Sequence, residues 1–390
     1  MEETMKRLLA LTLSVLLLAG CAPAAQPPED VSTPPPSPPP VVQPVPEPDP
    51  DPRQEAIDAL LSSMSPEEKV GQLFFAHCPA KNKAELAAEH HLGGYLLFRR
   101  DFKDKSVQQV QEEIAAWQEG MTIPLLIGVD EEGGTVARVS GNPKIRKDRF
   151  LSPGKLYQQG GLEAILTDCQ EKDALLLSLG INVNFAPVAD LSTDPKDFIY
   201  DRTLGLGVEE TCRYISAVTA QMEEDGMGSV LKHFPGYGSN QDTHTGSALD
   251  ERPLERLRQV DLRPFRAGIH AAEGGTAAVL MSHNILQELD PDRPGSLSPV
   301  LYQLLREEIG FNGPALTDDL AMAAITGYAG EESPAVLALA AGCDMVVLSD
   351  FQKEIPRVLA ALEDGALSQE RVDEAVSRVL GWKYDLGLLS

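Results

Sequence analysis

Acid/base side chains are concentrated in one short part of the chain. A KHFPG segment ends an apolar run with Lys232 and His233, and a DTH triplet with Asp242 and His244 follows on a glycine-flanked loop. In an Asp-x-His pattern, the carboxylate of Asp242 can accept a hydrogen bond from one ring nitrogen of His244, which leaves the other nitrogen free to transfer protons near neutral pH. The spacing therefore predicts an acid/base centre. The alternative interpretation is a surface loop that carries Asp and His incidentally.

Eight short apolar runs would form the elements that position such a centre. They are rich in Val, Leu, Phe and Ala and mostly do not alternate with polar residues, which is typical of buried parallel strands. The predicted strands lie at residues 71–76, 94–98, 125–129, 183–188, 229–233, 277–282, 315–317 and 345–348. Amphipathic stretches long enough for crossover helices lie between them, at residues 107–120, 208–224, 253–271 and 298–309. The predicted fold class is therefore α/β, with a single (β/α)8 TIM-type barrel.

Polar residues stand at the carboxyl ends of several predicted strands. They are Asp130, His233, His283, Asp318 and the pair Ser349-Asp350. In a barrel these strand ends converge on one mouth, where such folds hold their active sites. Side chains far apart in the sequence are therefore expected to become neighbours.

The N-terminal region is typical of an exported lipoprotein. Lys6 and Arg7 precede an apolar run at residues 8–18, and an LAGC box ends at Cys21. The apolar run is shorter than the ~20 residues that span a bilayer, so a cleaved signal peptide is preferred to an anchor helix. The predicted organisation is a signal peptide at 1–20, a lipid-anchored, Pro-rich disordered linker at 21–53 and the barrel at 54–390. Cys21 is the predicted lipidation site, which places the protein outside the cytoplasm and at the cell membrane; plain secretion is the alternative.

Composition excludes several classes of protein. The 390-residue chain has a net charge of −26 and a sequence pI of about 4.6, whereas nucleic acid requires a basic binding surface. The same charge argues against electrostatic binding to anionic lipid or polymer. Four cysteines beyond Cys21 are scattered without C-x-x-C spacing, which indicates neither a zinc site nor a disulfide scaffold. There is no G-x-G-x-x-G after the first strand and no P-loop, so no cofactor or metal is predicted.

The KHFPG and DTH segments belong to an ordered set of motifs. The others are GGYLLF at 93–98, DEEGG at 130–134, NFAPV at 184–188, DRT at 201–203, MSH at 281–283, TDDL at 317–320 and AGCD at 341–344. In this order they resemble glycoside hydrolase family 3, in particular its β-N-acetylhexosaminidase branch. The resemblance covers the chain from about residue 54 to the C-terminus, and the loop dyad selects the branch.

The resemblance implies a role for each candidate site residue. Asp318 matches the family's nucleophile, His244 the general acid/base and Asp242 the carboxylate that orients it. The expected sugar-binding residues are Asp130, Arg138, Arg202, Lys232 and His233. Alternatively, Arg138 is an ordinary surface residue, Arg202 pairs with its neighbour Asp201, and Asp318 only caps the next helix, although Asp319 is the better candidate for that cap.

The implied function is that of a retaining exo-β-N-acetylglucosaminidase that hydrolyses peptidoglycan fragments through a covalent glycosyl-Asp318 intermediate. The expected partners are a saccharide and the membrane, and the expected state is a monomer. Tyr237 stands where relatives have a second histidine and Thr135 where an arginine is common, so the leaving-group side of the pocket differs from the family pattern.

Other functions stay open from the sequence. A β-glucosidase or β-xylosidase would use the same nucleophile. Phosphorolysis is a third possibility, because a histidine acid/base repels an attacking phosphate less than a carboxylate does. An inactive sugar-binding lipoprotein and a metal-dependent barrel hydrolase are more distant alternatives.

Overall fold

A computed structural model describes residues 51–240 and 248–390. The predicted signal peptide, Cys21 and all but the end of the predicted linker lie outside the described residues, as do Asp242 and His244. Helix α1 begins at Pro52, inside the stretch assigned to the linker, because the side chain of Asp51 accepts a hydrogen bond from the Arg53 amide and caps the helix.

Eight parallel strands form the central sheet, in the order β10-β1-β2-β3-β4-β5-β7-β9. The strands are β1 Phe74–His77, β2 Gly94–Leu97, β3 Leu126–Val129, β4 Val183–Asn184, β5 Gly228–Phe234, β6 Leu249–Asp250, β7 Ala277–Met281, β8 Ile285–Leu286, β9 Ala315–Thr317 and β10 Val346–Leu348. The first and last strands of this order also meet: Thr317 donates its amide to Met345 at 3.1 Å, and its hydroxyl accepts from the Val347 amide at 3.0 Å. The sheet therefore closes into the predicted barrel, and β6 and β8 form a small separate pair.

Helices cover the outside of the barrel. They are α1 Pro52–Ser63, α2 Pro66–Gln72, α3 Lys83–Glu89, α4 Arg99–Phe102, α5 Val107–Gln118, α6 Pro153–Ser178, α7 Val208–Asp225, α8 Leu254–Arg256, α9 Leu262–Ala271, α10 Pro299–Gln303, α11 Ala323–Ala329, α12 Pro334–Ala341, α13 Phe351–Glu363 and α14 Gln369–Asp385, with 3₁₀ turns at Tyr200–Arg202 and Gly295–Leu297 and π turns at Leu257–Asp261 and Leu304–Glu308. Every helix within the described ranges is too short or too polar to cross a bilayer.

The sequence located all eight barrel strands, with errors at their ends. The first strand begins at Phe74 and not at residue 71, because α2 continues through Gln72. The prediction that Asp319 caps a helix is wrong: α11 begins four residues later, and the Asp319 carboxylate instead accepts from the Ala321 amide in a turn. Asp residues favour turns as well as helix caps, which explains why Asp319 lies in a turn here.

The barrel interior is a packed apolar core beneath the mouth. Phe75 and Phe185 meet edge to face with ring centroids 5.1 Å apart. Gly128 permits this contact, because a Cβ at that position would lie 2.7 Å from atoms of both rings. Close packing of this kind fixes the strands rigidly under the site.

Candidate active site

A cavity of about 630 Å³ opens at the carboxyl ends of the barrel strands. We call it the mouth cavity. Its lining residues are His77, Leu96, Phe98, Asp130, Glu132, Thr135, Val136, Arg138, Phe185, Phe198, Asp201, Arg202, Lys232, His233, Leu280, Asp318, Asp319 and Val347. All six sequence-predicted site residues that the structure describes lie in this set, although they come from four different strands and loops.

Lys232 connects two carboxylates at the base of the mouth cavity. Its ammonium group lies 2.7 Å from Asp130 and 2.6 Å from Glu132. The side chain of Asp130 stays 16% exposed, whereas that of Glu132 is 3% exposed. Asp130 is therefore the carboxylate of this pair that a sugar hydroxyl can reach.

Consecutive side chains of β5 both line the mouth cavity because the strand is irregular at this point. In a regular strand Lys232 and His233 would point to opposite faces of the sheet. The pairing of β5 with β7 shifts between Lys232 and Phe234, which leaves His233 as an extra, unpaired residue. Such a bulge changes the direction of a side chain, and bulges are common beside active sites.

Arg202 completes the charged network. Its guanidinium group donates to both oxygens of Glu132, at 2.9 and 2.8 Å, and lies 3.2 Å from Nε2 of His233. Burial alone would lower the pKa of Arg202, but the neighbouring Glu132 carboxylate has the larger effect and raises that pKa. Burial also opposes ionisation of Glu132. The positive charges of Arg202 and Lys232 nevertheless hold the pKa of the Glu132 carboxyl well below its usual range. The alternative pairing with Asp201 is wrong, because Arg202 makes its bidentate pair with Glu132.

The partners of His233 determine its tautomer. Arg202 can only donate, so Nε2 of His233 accepts and the ring proton belongs on Nδ1. Nδ1 lies 2.7 Å from Asp190, whose carboxylate also accepts from the amides of His233 at 3.1 Å and Tyr237 at 2.6 Å. Asp190 thereby fixes the ring and the backbone that follows it.

A second buried carboxylate shapes the loop that carries Arg138. Glu131 is fully buried and accepts from the amides of Arg138, Val139 and Ser140 and from the Ser140 hydroxyl. These bonds bring the Arg138 guanidinium to 3.8 Å from Asp130. Nε of Arg138 is buried and has no hydrogen-bond partner within the described part of the chain. Arg138 is therefore not an ordinary surface residue.

Asp318 follows β9 and faces this network. Burial opposes ionisation of its carboxyl group, but the His283 ring, the Asp319 amide and the Lys232 ammonium outweigh that effect and hold the pKa of Asp318 below its ordinary value. The Asp319 amide donates to its Oδ1 at 2.8 Å. The structure thus keeps Asp318 ionised, as a nucleophile requires.

The structure corrects one prediction about strand ends and places a second strand-end residue, His283, behind the site. Ser349 and Asp350 follow β10 but line a different cavity, because the chain turns into α13 at Phe351. His283 is buried behind the mouth cavity, with Nδ1 2.7 Å from the Ser296 hydroxyl and Nε2 3.0 Å from the Asp319 carbonyl. His283 therefore supports the turn after Asp318 and is not among the residues that line the mouth cavity.

Sequence reasoning missed Glu132 and Asp190. Glu132 stands inside the DEEGG motif, but nothing in the sequence distinguishes it from Glu131 next to it. Asp190 follows NFAPV two residues later, at the end of an apolar run, which is the same signal that identified Asp130 and Asp318. No grouping of three or more His, Cys, Asp or Glu suited to a metal ion occurs among residues 51–240 and 248–390.

The fold and site together define a class: a (β/α)8 barrel with an ionised carboxylate at the mouth, opposite a set of charged hydrogen-bonding groups suited to a sugar. Residues 65–381 match the model of the glycosyl hydrolase family 3 N terminal domain. The chain belongs to glycoside hydrolase family 3.

Similar proteins include curated relatives and solved structures. A beta-hexosaminidase of Idiomarina loihiensis is 34% identical over 312 residues, which cover 77% of this chain and 88% of the relative. A beta-hexosaminidase of Xanthomonas campestris pv. campestris is 34% identical over 296 residues, covering 75% and 87%. The structure of a family 3 beta-N-acetylglucosaminidase from Paenibacillus sp. matches with a TM-score of 0.75 and 31% identity, over 84% of this chain and 63% of that one.

Proposed function

We propose that the protein is a retaining exo-β-N-acetylglucosaminidase. Asp318 attacks the anomeric carbon of a terminal N-acetylglucosamine and forms a glycosyl ester, while His244, oriented by Asp242, protonates the leaving oxygen. Water activated by His244 then hydrolyses the ester. Asp242 and His244 lie outside the described residues, so their roles rest on the sequence motif.

The observation that carries the proposal is the position of Asp318 in one cavity with Asp130, Arg202, Lys232 and His233. A β-glycosidase needs an ionised carboxylate at the anomeric carbon and polar groups that fix the sugar hydroxyls. Asp130, Lys232 and Arg138 offer paired donors and acceptors to those hydroxyls, and an unmatched buried partner would cost about 1–3 kcal/mol. An apolar floor at Leu280 and Phe185 gives the ring a surface to lie on.

The choice of N-acetylglucosamine over glucose is supported by the DTH loop and by the beta-hexosaminidase and beta-N-acetylglucosaminidase names of the relatives. We propose that the substrates are fragments of peptidoglycan, which supply such glycosides to an exported enzyme.

We propose further that Cys21 is lipidated, that the mature chain is tethered outside the cytoplasm by its Pro-rich linker, and that it acts as a monomer. Replacing Cys21 by Ser should move the protein from the membrane fraction to the soluble fraction.

Hydrolysis of 4-nitrophenyl β-N-acetylglucosaminide tests the central proposal. We expect Asp318→Ala to lower kcat by about 1,000-fold or more, the scale typical of removing a nucleophile. Asp350→Ala is the matched control, because Asp350 also follows a barrel strand but lies outside the mouth cavity. An unchanged rate in Asp318→Ala would exclude Asp318 as the nucleophile.

The acid/base role has its own test. His244→Ala should lose most activity on glycosides with poor leaving groups and much less on activated aryl glycosides, which need little protonation. Faster hydrolysis of the β-glucoside than of the β-N-acetylglucosaminide would instead favour the glucosidase alternative. A sugar 1-phosphate formed in phosphate buffer would favour phosphorolysis.

A further inference from the structure

Two loops at the rim of the barrel are basic, although the chain as a whole is strongly acidic. Residues 99–105 and 138–149 together contain nine Lys and Arg residues and only three Asp residues. The full chain, in contrast, has 33 Lys and Arg residues and 59 Asp and Glu residues. The loops follow β2 and β3. Positive charge is therefore concentrated at one part of the mouth.

Hydrogen bonds hold these loops together. The side-chain amide of Asn142 donates to the carbonyls of Phe102 at 2.7 Å and Lys105 at 3.1 Å. The guanidinium group of Arg99 donates to the Ala137 carbonyl at 2.9 Å. The basic side chains thus project from a fixed surface.

A cavity of about 400 Å³ lies between the two loops. We call it the basic cavity. Its charged lining residues are Arg99, Arg100, Lys103, Asp104 and Arg138. The four cations outnumber the single carboxylate.

The cations of the basic cavity are poorly neutralised. Arg100 comes no closer than 3.9 Å to Asp101, and Arg138 no closer than 3.8 Å to Asp130. Arg99 and Lys103 have no carboxylate within 4.0 Å among the described residues. Clustered cations repel one another, so an anion between them would be favoured. The buried Nε of Arg138, which has no hydrogen-bond partner among residues 51–240 and 248–390, adds a donor to the same wall.

The basic cavity lies at a defined end of the substrate. Arg138 lines both it and the mouth cavity, so the two are neighbours. In the closed ring, three strands separate β3 from β9 in either direction, so the loop after β3 stands across the mouth from Asp318. The anomeric carbon must lie at Asp318. The opposite end of the sugar, with its ring hydroxyls, therefore points toward Arg138 and the basic cavity.

We propose that the basic cavity binds an acidic substituent, a carboxylate or a phosphate, on the terminal N-acetylhexosamine at the end of the ring remote from the scissile bond. The inference rests on the proposed function, because it assumes that a sugar occupies the mouth cavity. The proposal is compatible with the net charge of −26, because the basic side chains are concentrated in two loops of an otherwise acidic chain.

Equilibrium binding of hydrolysis-resistant thioglycosides to the wild-type protein tests this inference without turnover. The probes are aryl 1-thio-β-N-acetylglucosaminide, the same compound with a 3-O-(1-carboxyethyl) ether, and the same compound with a 6-phosphate. We expect at least one acidic probe to bind about twofold to fivefold more tightly than the neutral probe, the scale of partly exposed charge pairs. The preference should fall as NaCl rises. The two acidic probes distinguish a carboxylate from a phosphate.

Matched variants separate the basic cavity from general charge effects. Lys103→Glu should abolish the tighter binding of the acidic probe. The affinity of this variant for the neutral probe should stay unchanged, and that measurement also shows that the variant is folded. Lys147→Glu changes the same charge on the same basic surface but outside the cavity, and should keep the preference. Acidic probes that bind no more tightly than the neutral one, or equal effects of the two variants, would overturn the inference. Absence of hydrolysis of the neutral oxygen glycoside would instead count against the proposed function alone.

Discussion

The ammonium group of Lys232 lies 2.6 Å from a carboxylate oxygen of Glu132, and each side chain is only 3% exposed. Lys232 also contacts Asp130, and Glu132 also holds Arg202, so two cations and two anions form one buried network. Charges in such a place are tolerated because each is paired. The network therefore fixes the positions of the proposed sugar-binding groups.

Replacing Glu132 with Gln should destabilise the protein. The substitution keeps the shape but leaves Lys232 and Arg202 with too little negative charge, and breaking a buried pair typically costs about 3–5 kcal/mol. Urea denaturation should report this loss. Glu209→Gln, which breaks an exposed pair with Arg263, serves as the control and should cost about 1 kcal/mol or less. Equal midpoints for the two variants would show that the network is not a stabilising element.

Asp190→Asn should impair sugar binding through His233. An amide in place of the carboxylate cannot accept from all three N–H groups that now donate to Asp190, so at least one of the bonds that fix the His233 ring and the backbone after it is lost. We expect kcat/KM for the β-N-acetylglucosaminide to fall by about 10-fold to 100-fold, the scale of one hydrogen bond to a charged group.

A double-mutant cycle distinguishes this positioning role from a general loss of stability. If Asp190 acts through His233, then Asp190→Asn should add little to the effect of His233→Ala. Fully additive losses would contradict the proposed coupling.

The pH dependence of catalysis should reflect the lowered pKa of Asp318. A nucleophilic carboxyl must be ionised, so kcat/KM falls as pH falls through its pKa, which lies below the ordinary 3.8. With an activated aryl leaving group, activity should persist from about pH 8 to about pH 4 without an acid limb from Asp318. An Asp318-dependent limb centred above about pH 5 would contradict the electrostatic surroundings described here.

Asp173 should make stability depend on pH. Burial and the neighbouring Asp225 raise its pKa to about 7, although Cys169 and Lys172 oppose the shift. Asp173 Oδ1 and Asp225 Oδ2 both lack a donor among the described residues, as expected if Asp173 keeps its proton and donates it. Between the unfolded pKa of 3.8 and the folded pKa of about 7, Asp173 is protonated in the folded state and ionised in the unfolded state. The free energy of unfolding therefore decreases as pH rises through this range and stays constant above about pH 7.

Asp173→Asn should remove this slope. At pH above about 7 the variant should be more stable by on the order of a few kcal/mol, because one pKa unit corresponds to about 1.4 kcal/mol. Urea denaturation from about pH 4 to about pH 8 measures the effect. Glu163→Gln, an exposed position on the same helix, should leave the slope unchanged. A wild-type stability that rises over this range while the Asn variant does not would contradict the assignment.

The sequence alone determined the barrel, the family and most of the candidate site. Short apolar runs mark buried parallel strands because the pattern depends only on neighbouring residues. Polar residues at the carboxyl end of a strand are expected at the mouth, although Ser349 and Asp350 after β10 line a different cavity. Asp130, His233 and Asp318 were therefore predictable. Asp242 and His244 lie outside the described residues, and their roles stay predictions.

Only the tertiary structure decided which charges pair. Arg202 meets Glu132, 70 residues away, and not Asp201. Asp190, which follows β4, meets His233 on the neighbouring strand β5. Closure of the barrel sets these distances, and no local pattern encodes them. The pairing of β2 with β3 places the two basic loops side by side, so a net charge summed over the whole chain cannot reveal the basic cavity.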